Sequence, residues 1–209
     1  MPPRCVCCHK LVEEDFSLCS SCFSDVEFIE KPFCKTCGNP FELEVEEESD
    51  CLGCIKHKRP FNLSRSIFKY KASARNIIHK LKYNDSNDVS KYLSKIIGSK
   101  YTDIIKDADI ICCVPMHKFK RIFRMYNHAQ LLAKDVADQF GKEFIPNLLL
   151  KTRNTKSQTF LSKLQRKTNL KGSISFNDKF CIKNKKVLLI DDVITTSETN
   201  NECCKRLKE

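Results

Sequence analysis

Four Cys-x-x-Cys pairs stand within the first 60 residues, at Cys5/Cys8, Cys19/Cys22, Cys34/Cys37 and Cys51/Cys54. Ten residues separate the first two pairs and thirteen the last two. A knuckle of this spacing presents two thiolates from one tight turn, and two knuckles complete the tetrahedron of a structural zinc site. The segment is too poor in apolar residues to fold unaided, so metal binding must supply its folding energy. Two zinc ions are therefore expected, one for each sequential pair of knuckles, with interleaved pairing left open. Gly38, directly after Cys37, is the residue type expected where a knuckle turns sharply. Cys7 lies inside the first knuckle, either as a substitute for Cys8 or as a free thiol. His9 and His57 read as bystanders, because each site already has four cysteines.

The chain carries 14 cysteines, has no hydrophobic signal core and has no apolar run long enough to span a bilayer. Metal binding in a reducing compartment, the cytoplasm, accounts for that cysteine usage better than disulfides. Charge is divided along the chain. Residues 1–60 hold 7 basic and 12 acidic side chains, net −5, whereas residues 61–209 hold 30 and 14, net +16. The second part is thus suited to polyanions, whether pyrophosphate-bearing metabolites or nucleic acid. The acidic stretch Glu42–Glu48 between the knuckles of the second site reads as a solvated hairpin tip.

Pro60 and Phe61 mark a change of domain. Ser66–Tyr70 alternates like a strand. Helical stretches follow around Ala74–Tyr83 and Val89–Tyr101, the second with Val89, Leu93, Ile96 and Ile97 on one face. Arg75, His79, Lys80 and Lys82 either border a cleft or form a solvated face. Ala108–Pro115 is an apolar strand followed by a basic loop containing Arg121 and Arg124, whose guanidinium groups suit phosphate. The helix beyond packs Ala129, Leu132, Ala133, Val136 and Phe140 on the sheet. Phe144–Leu150 reads as another strand. The polar, basic stretch from Lys151 to Arg166 has the composition of a lid over an active site.

The most informative stretch of the second part is Lys186–Thr199. Val187–Ile190 is a continuous apolar run, as in a parallel strand covered on both faces. Asp191 and Asp192 follow at its end, where open α/β sheets place their ligands. Thr195, Thr196 and Ser197 come next, and a helix opens with Thr199 and Glu202 at capping-box spacing. Unpaired amides at a helix N-terminus favour an anion. Carboxylates beside such a site fit a sugar phosphate, with Asp191 and Asp192 accepting from ribose hydroxyls or helping to hold Mg²⁺.

This stretch resembles the phosphoribosyl-pyrophosphate (PRPP) signature of type I phosphoribosyltransferases, with Ser197 standing where the family has glycine. Together with the double zinc ribbon, Arg121-x-x-Arg124-x-x-Asn127 and Arg153-Asn-Thr155-x-x-Gln158-x-x-Leu-Ser-x-x-x-Arg166, the chain resembles the ComF family, which is linked to natural competence and the handling of incoming single-stranded DNA. The resemblance implies an α/β chain, with a double zinc ribbon over residues 1–60 and a parallel-sheet phosphoribosyltransferase-like domain over 61–209 that lacks its last strand. It implies Asp191, Asp192 and Arg124 as catalytic residues. Arg121, Asn127, Arg153, Gln158, Arg166, Thr195, Thr196, Ser197 and Thr199 become the residues that bind PRPP, with Mg²⁺. Met125, like Ser197, replaces a family glycine. The implied chemistry is displacement of pyrophosphate at ribose C1. The alternative is a non-catalytic accessory that binds single-stranded DNA or a helicase-type partner.

Overall fold

The computed structural model describes residues 2–43, 45, 49–83, 86–116, 127–153, 172–195 and 197–209. The N-terminal segment is built from two copies of one turn. In the first knuckle the His9 amide donates to Cys5 O and the Cys5 amide to Lys10 O. In the third, Gly38 and Cys34 repeat this with Cys34 O and Asn39 O. Isolated bridges Arg4↔Leu11 and Phe33↔Pro40 close the two hairpins. Both turns need a left-handed residue after the second cysteine, supplied by Gly38 (φ 69°) and, at a steric cost, by His9 (φ 62°). At Gly38 the freedom is obligatory, since a Cβ there would come within 2.5 Å of Ser64 O. The second knuckle of each site opens a single-turn helix, α1 (Ser20–Ser24) and α2 (Leu52–Lys56).

The expected strand at Ser66–Tyr70 is instead one antiparallel bridge, Phe28↔Phe68. Its flanking bonds, Ile29 N–H to Ile67 O and Lys69 N–H to Glu27 O, fasten the linker back onto the ribbon segment. Helices α3 (Ala72–Tyr83), α4 (Ser86–Lys100) and α5 (Thr102–Asp107) follow, then strand β1 (Ile110–Cys113), helix α6 (His128–Phe140), strands β2 (Glu143–Phe144), β3 (Leu149–Lys151), β4 (Ile174–Phe176) and β5 (Val187–Ile190), and helix α7 (Glu198–Lys208).

The main sheet is parallel, in the order β2-β1-β5, and Cys113 on β1 is in register with Ile190 on β5. β1 is buried along its whole length, as its unbroken apolar run requires. Its side chains alternate between two layers. Ile111 and Cys113 join Ile77, Leu81, Leu93, Leu132 and Val136 from α3, α4 and α6, whereas Ile110 and Cys112 join Leu148 and, from α7, Leu207. The first layer also takes in Cys5, Val6, Cys7, Cys22 and Val26, so the first ribbon is part of the main core. The predicted strand Phe144–Leu150 is divided. Pro146 has no N–H for a ladder, and its two halves join different sheets, β2 beside β1 and β3 in an antiparallel pair with β4. No helix among the described residues is long and apolar enough to cross a membrane.

Candidate functional site

The eight knuckle cysteines form two groups, Cys5/Cys8/Cys19/Cys22 and Cys34/Cys37/Cys51/Cys54, and the sulfur atoms within each group lie within 4.8 Å of one another. Cys8 and Cys19 are 3.6 Å apart and Cys37 and Cys51 3.7 Å. A tetrahedron with Zn–S bonds of about 2.3 Å has an edge of about 3.8 Å, so the donor set fits zinc in sequential pairing. Backbone amides of Cys37 and Cys51 donate to Cys34 Sγ at 3.4 and 3.3 Å. Without a cation the thiols divide: the Ser21 hydroxyl holds Cys19 down at about 6, while burial pushes Cys22 and Cys37 up. Cys7 takes no place in a cluster. It is buried and its thiol faces Ser73 O at 3.9 Å. Arg59 was not singled out from the sequence. Its guanidinium bonds to Cys54 and lies near Cys37 and Cys51, which raises its already high pKa and sets a positive charge beside the second cluster.

The second arrangement lies at the C-terminal ends of β1 and β5. The pairing continues one step past the strands through Val114 N–H to Ile190 O, 3.0 Å, so Asp191 emerges beside Val114. Asn127, the N-cap residue of α6, donates its side-chain N–H to Val114 O at 3.2 Å and thereby pins that helix start to the end of β1. Asp191 Oδ1 accepts the Asp192 backbone N–H at 2.9 Å. Burial first, and then the neighbouring charge of Asp192, push the Asp191 carboxyl far above the ordinary carboxylate range. Asp192 is compensated differently, by Lys82 Nζ at 3.1 Å from its Oδ2. Oxygen donors of this kind suit a hard cation such as Mg²⁺.

From the acids the chain runs through exposed Thr195 to Ser197, which caps α7 in the left-handed conformation (φ 59°, ψ 6°) without a capping bond from its hydroxyl. Thr199 lies in the first turn of α7. Glu202 does not close the expected capping box. It is buried and its carboxylate accepts from Gly172 N–H at 2.9 Å and from Arg206 at 3.2 Å. Arg153 is exposed, and its guanidinium lies over Gly172, where a Cβ would come within 3.3 Å of it. Thr196, Arg121, Arg124, Met125, Thr155, Gln158 and Arg166 lie outside the described residues.

A cleft of about 2030 Å³ is lined by Asp191, Asp192 and Ser197, by Arg59, Lys69 and Lys71 of the linker, and by Lys205 and Lys208 of α7. Of the sequence-predicted site residues, then, Asp191, Asp192, Thr195 and Ser197 line one cleft, and Asn127 stands at the neighbouring end of β1. The described geometry adds Lys82, which sequence reasoning left between a cleft edge and a solvated face.

Comparison with known proteins agrees with this layout. The double zinc ribbon domain family matches residues 1–55. Over 213 aligned residues, spanning 99% of this chain and 91% of each relative, the chain is 27% identical to competence protein F of Haemophilus influenzae and 25% identical to DNA utilization protein YhgH of Escherichia coli K12. YhgH of Salmonella typhimurium aligns over the same length at 24% identity. With two zinc-binding cysteine clusters at its N-terminus and a mixed α/β region around a parallel three-stranded sheet, the chain is a homologue of competence protein F and YhgH along nearly its whole length.

Proposed function

We propose that this is a cytoplasmic DNA-uptake protein of the competence type whose region 61–209 binds PRPP or a closely related sugar phosphate. One observation carries the reading. Two acids leave the end of β5 beside the end of β1 in a parallel sheet, and the chain then passes through a left-handed turn into the N-terminus of α7. The names of the relatives, competence protein and DNA utilization protein, supply the context of DNA uptake.

On this reading Asp191 and Asp192 accept from the ribose hydroxyls, and Mg²⁺ enters with PRPP. Thr195, Thr196, Ser197 and Thr199 hold the 5′-phosphate. Arg121, Arg124 and Asn127 grip the pyrophosphate, and Arg153, Gln158 and Arg166 complete the set of residues that bind PRPP. The reaction class is displacement of pyrophosphate at ribose C1 by an incoming nucleophile, for which bound Mg²⁺ would supply charge neutralisation of the leaving group. Calorimetry of the zinc-loaded chain with PRPP and Mg²⁺ tests this directly. Saturable heat that is lost when Asp191→Asn and Asp192→Asn are combined is the expected result, and absence of heat from the unsubstituted chain would overturn it.

A second reading is supported by the charge along the cleft, which presents Lys205 and Lys208 of α7 and, beside them, Arg59 with Lys69 and Lys71, the last two paired with Glu27. A single strand of DNA suits such a groove, and a helicase-type protein would be its delivery partner. Retention of oligo-dT that falls steeply with salt would support it. No retention at low salt would remove it.

A further inference from the structure

We propose that Lys82 is a built-in counter-cation for the acid pair, competing with divalent metal at Asp192 so that the site accepts its metal ion in company with an anion and not alone. This rests on the reading of Asp191 and Asp192 as a Mg²⁺ and ribose site.

The placement of Lys82 is the first argument. Its ammonium is 3.1 Å from Asp192 Oδ2, and the two side chains are only 24% and 20% exposed. A pair this sheltered is screened far less than a surface pair. The lysine is delivered by the last turn of α3, whose Ile77, Ile78 and Leu81 are buried in the main core. The backbone that carries it is therefore fixed by the core.

Charge is the second argument. Two carboxylates share one ammonium, and they divide it unequally. Asp192 is paired with Lys82, whereas Asp191 accepts only the backbone N–H of Asp192 among the described contacts. A bare dication approaching Asp192 meets the ammonium a few ångströms away, and at that range repulsion between cations is large in a partly desolvated site. A dication carrying a pyrophosphate group arrives as a net anion. Repulsion by Lys82 then becomes attraction, and the ammonium can leave Asp192 for a phosphate oxygen without crossing unpaired space. The site would thus discriminate against free metal and in favour of the metal–phosphate complex.

The test uses the full-length, zinc-loaded chain and Mn²⁺ in place of Mg²⁺, with free Mn²⁺ read by electron paramagnetic resonance. Lys82→Met should bind Mn²⁺ alone about tenfold more tightly than the unsubstituted chain. Adding inorganic pyrophosphate should cancel or reverse that advantage. Asp192→Asn in the Lys82→Met background should abolish the gain, which assigns the metal to this carboxylate. Should Lys82→Met lower the melting temperature, Lys82→Gln gives the same comparison with a polar side chain. Equal or weaker Mn²⁺ binding by both Lys82 variants would overturn the proposal. PRPP calorimetry on the unsubstituted chain is an independent measurement, so failure of the ligand assignment and failure of the Lys82 assignment are told apart.

Discussion

Asp25 in the first ribbon caps the start of α3 from outside the helix: its Oδ2 accepts the Ser73 backbone N–H at 2.9 Å and the Ser73 hydroxyl at 2.6 Å. The N-terminal amides of a helix have no partner within it, and here one is satisfied by a residue 48 positions earlier. The two bonds, that from the hydroxyl first, hold the Asp25 carboxyl below the ordinary carboxylate range. A lowered folded-state pKa stabilises the fold above the unfolded-state value, and the contribution disappears as pH falls through the folded-state value. Asp25→Ala should therefore melt below the unsubstituted chain at pH 7, and the gap should close below about pH 4. Acid also releases zinc, but it does so from both chains, so the difference between them is what is read. A gap that persists undiminished at pH 3 would show that the carboxylate charge is irrelevant to the joint.

The two zinc clusters should differ in what they support. Cys5, Cys7, Cys22 and Val26 of the first ribbon are packed in one cluster with Ile77, Leu81 and Tyr92, while buried Cys34 and Cys54 of the second lie outside it. Zinc-site folding energy is folding energy of whatever the site holds in place. Cys8→Ser should lower the melting temperature of the entire chain, and Cys51→Ser should cost one zinc equivalent with the α/β region melting nearly as before. Metal analysis together with circular dichroism at 222 nm checks both halves of the statement. Equal melting losses would mean that the second ribbon supports the core as much as the first.

What could be read in advance depended on the distance over which each feature is determined. The zinc clusters were legible because knuckle geometry is fixed within four residues, and the structure then groups the knuckles sequentially. β1, β5 and α6 were legible because a covered parallel strand and a one-faced helix each leave a pattern in their own residues. Pairings between distant residues leave no such mark. Glu202 sits at capping-box spacing from Thr199 yet serves Gly172 and Arg206, because burial in the α7 interface offers it stronger donors than its own helix start. Lys82 and Asp192 are 110 positions apart, and only the packing of α3 against the sheet brings them together. Pro146 was visible, and its missing N–H already argued against one continuous strand from Phe144 to Leu150.

Asn127 offers a test of the link between β1 and α6. Its side-chain N–H donates to Val114 O at 3.2 Å, and it holds this position as the N-cap of α6 although it makes no capping bond of its own. Asp at this position retains the shape and the capping preference but has no donor. It also places a carboxylate against a carbonyl oxygen and near Asp191. Asn127→Asp should cost about 1–3 kcal/mol in urea unfolding at pH 7, whereas an ordinary N-cap would tolerate the exchange. An unchanged midpoint would show that the bond to Val114 carries no weight.

Ser197 is the point at which local strain and ligand geometry meet. Ser197, like His9, Phe16, Ala72 and Asn184, has a positive φ (59°) with a Cβ in place, and it stands immediately before the first turn of α7. For an L-residue that conformation costs roughly 1–2 kcal/mol, and the hydroxyl recovers none of it through a capping bond. Glycine removes the steric term and adds unfolded-state entropy of roughly 0.5–1 kcal/mol, so the balance should favour Ser197→Gly by up to about 1 kcal/mol. The same change exposes the amides of the turn to closer approach by a phosphate. Ser197→Gly should therefore raise the urea midpoint slightly and tighten PRPP binding severalfold in calorimetry. A variant that is more stable but binds PRPP less tightly would assign the serine hydroxyl to the ligand, and one that is less stable would show that the turn is not strained.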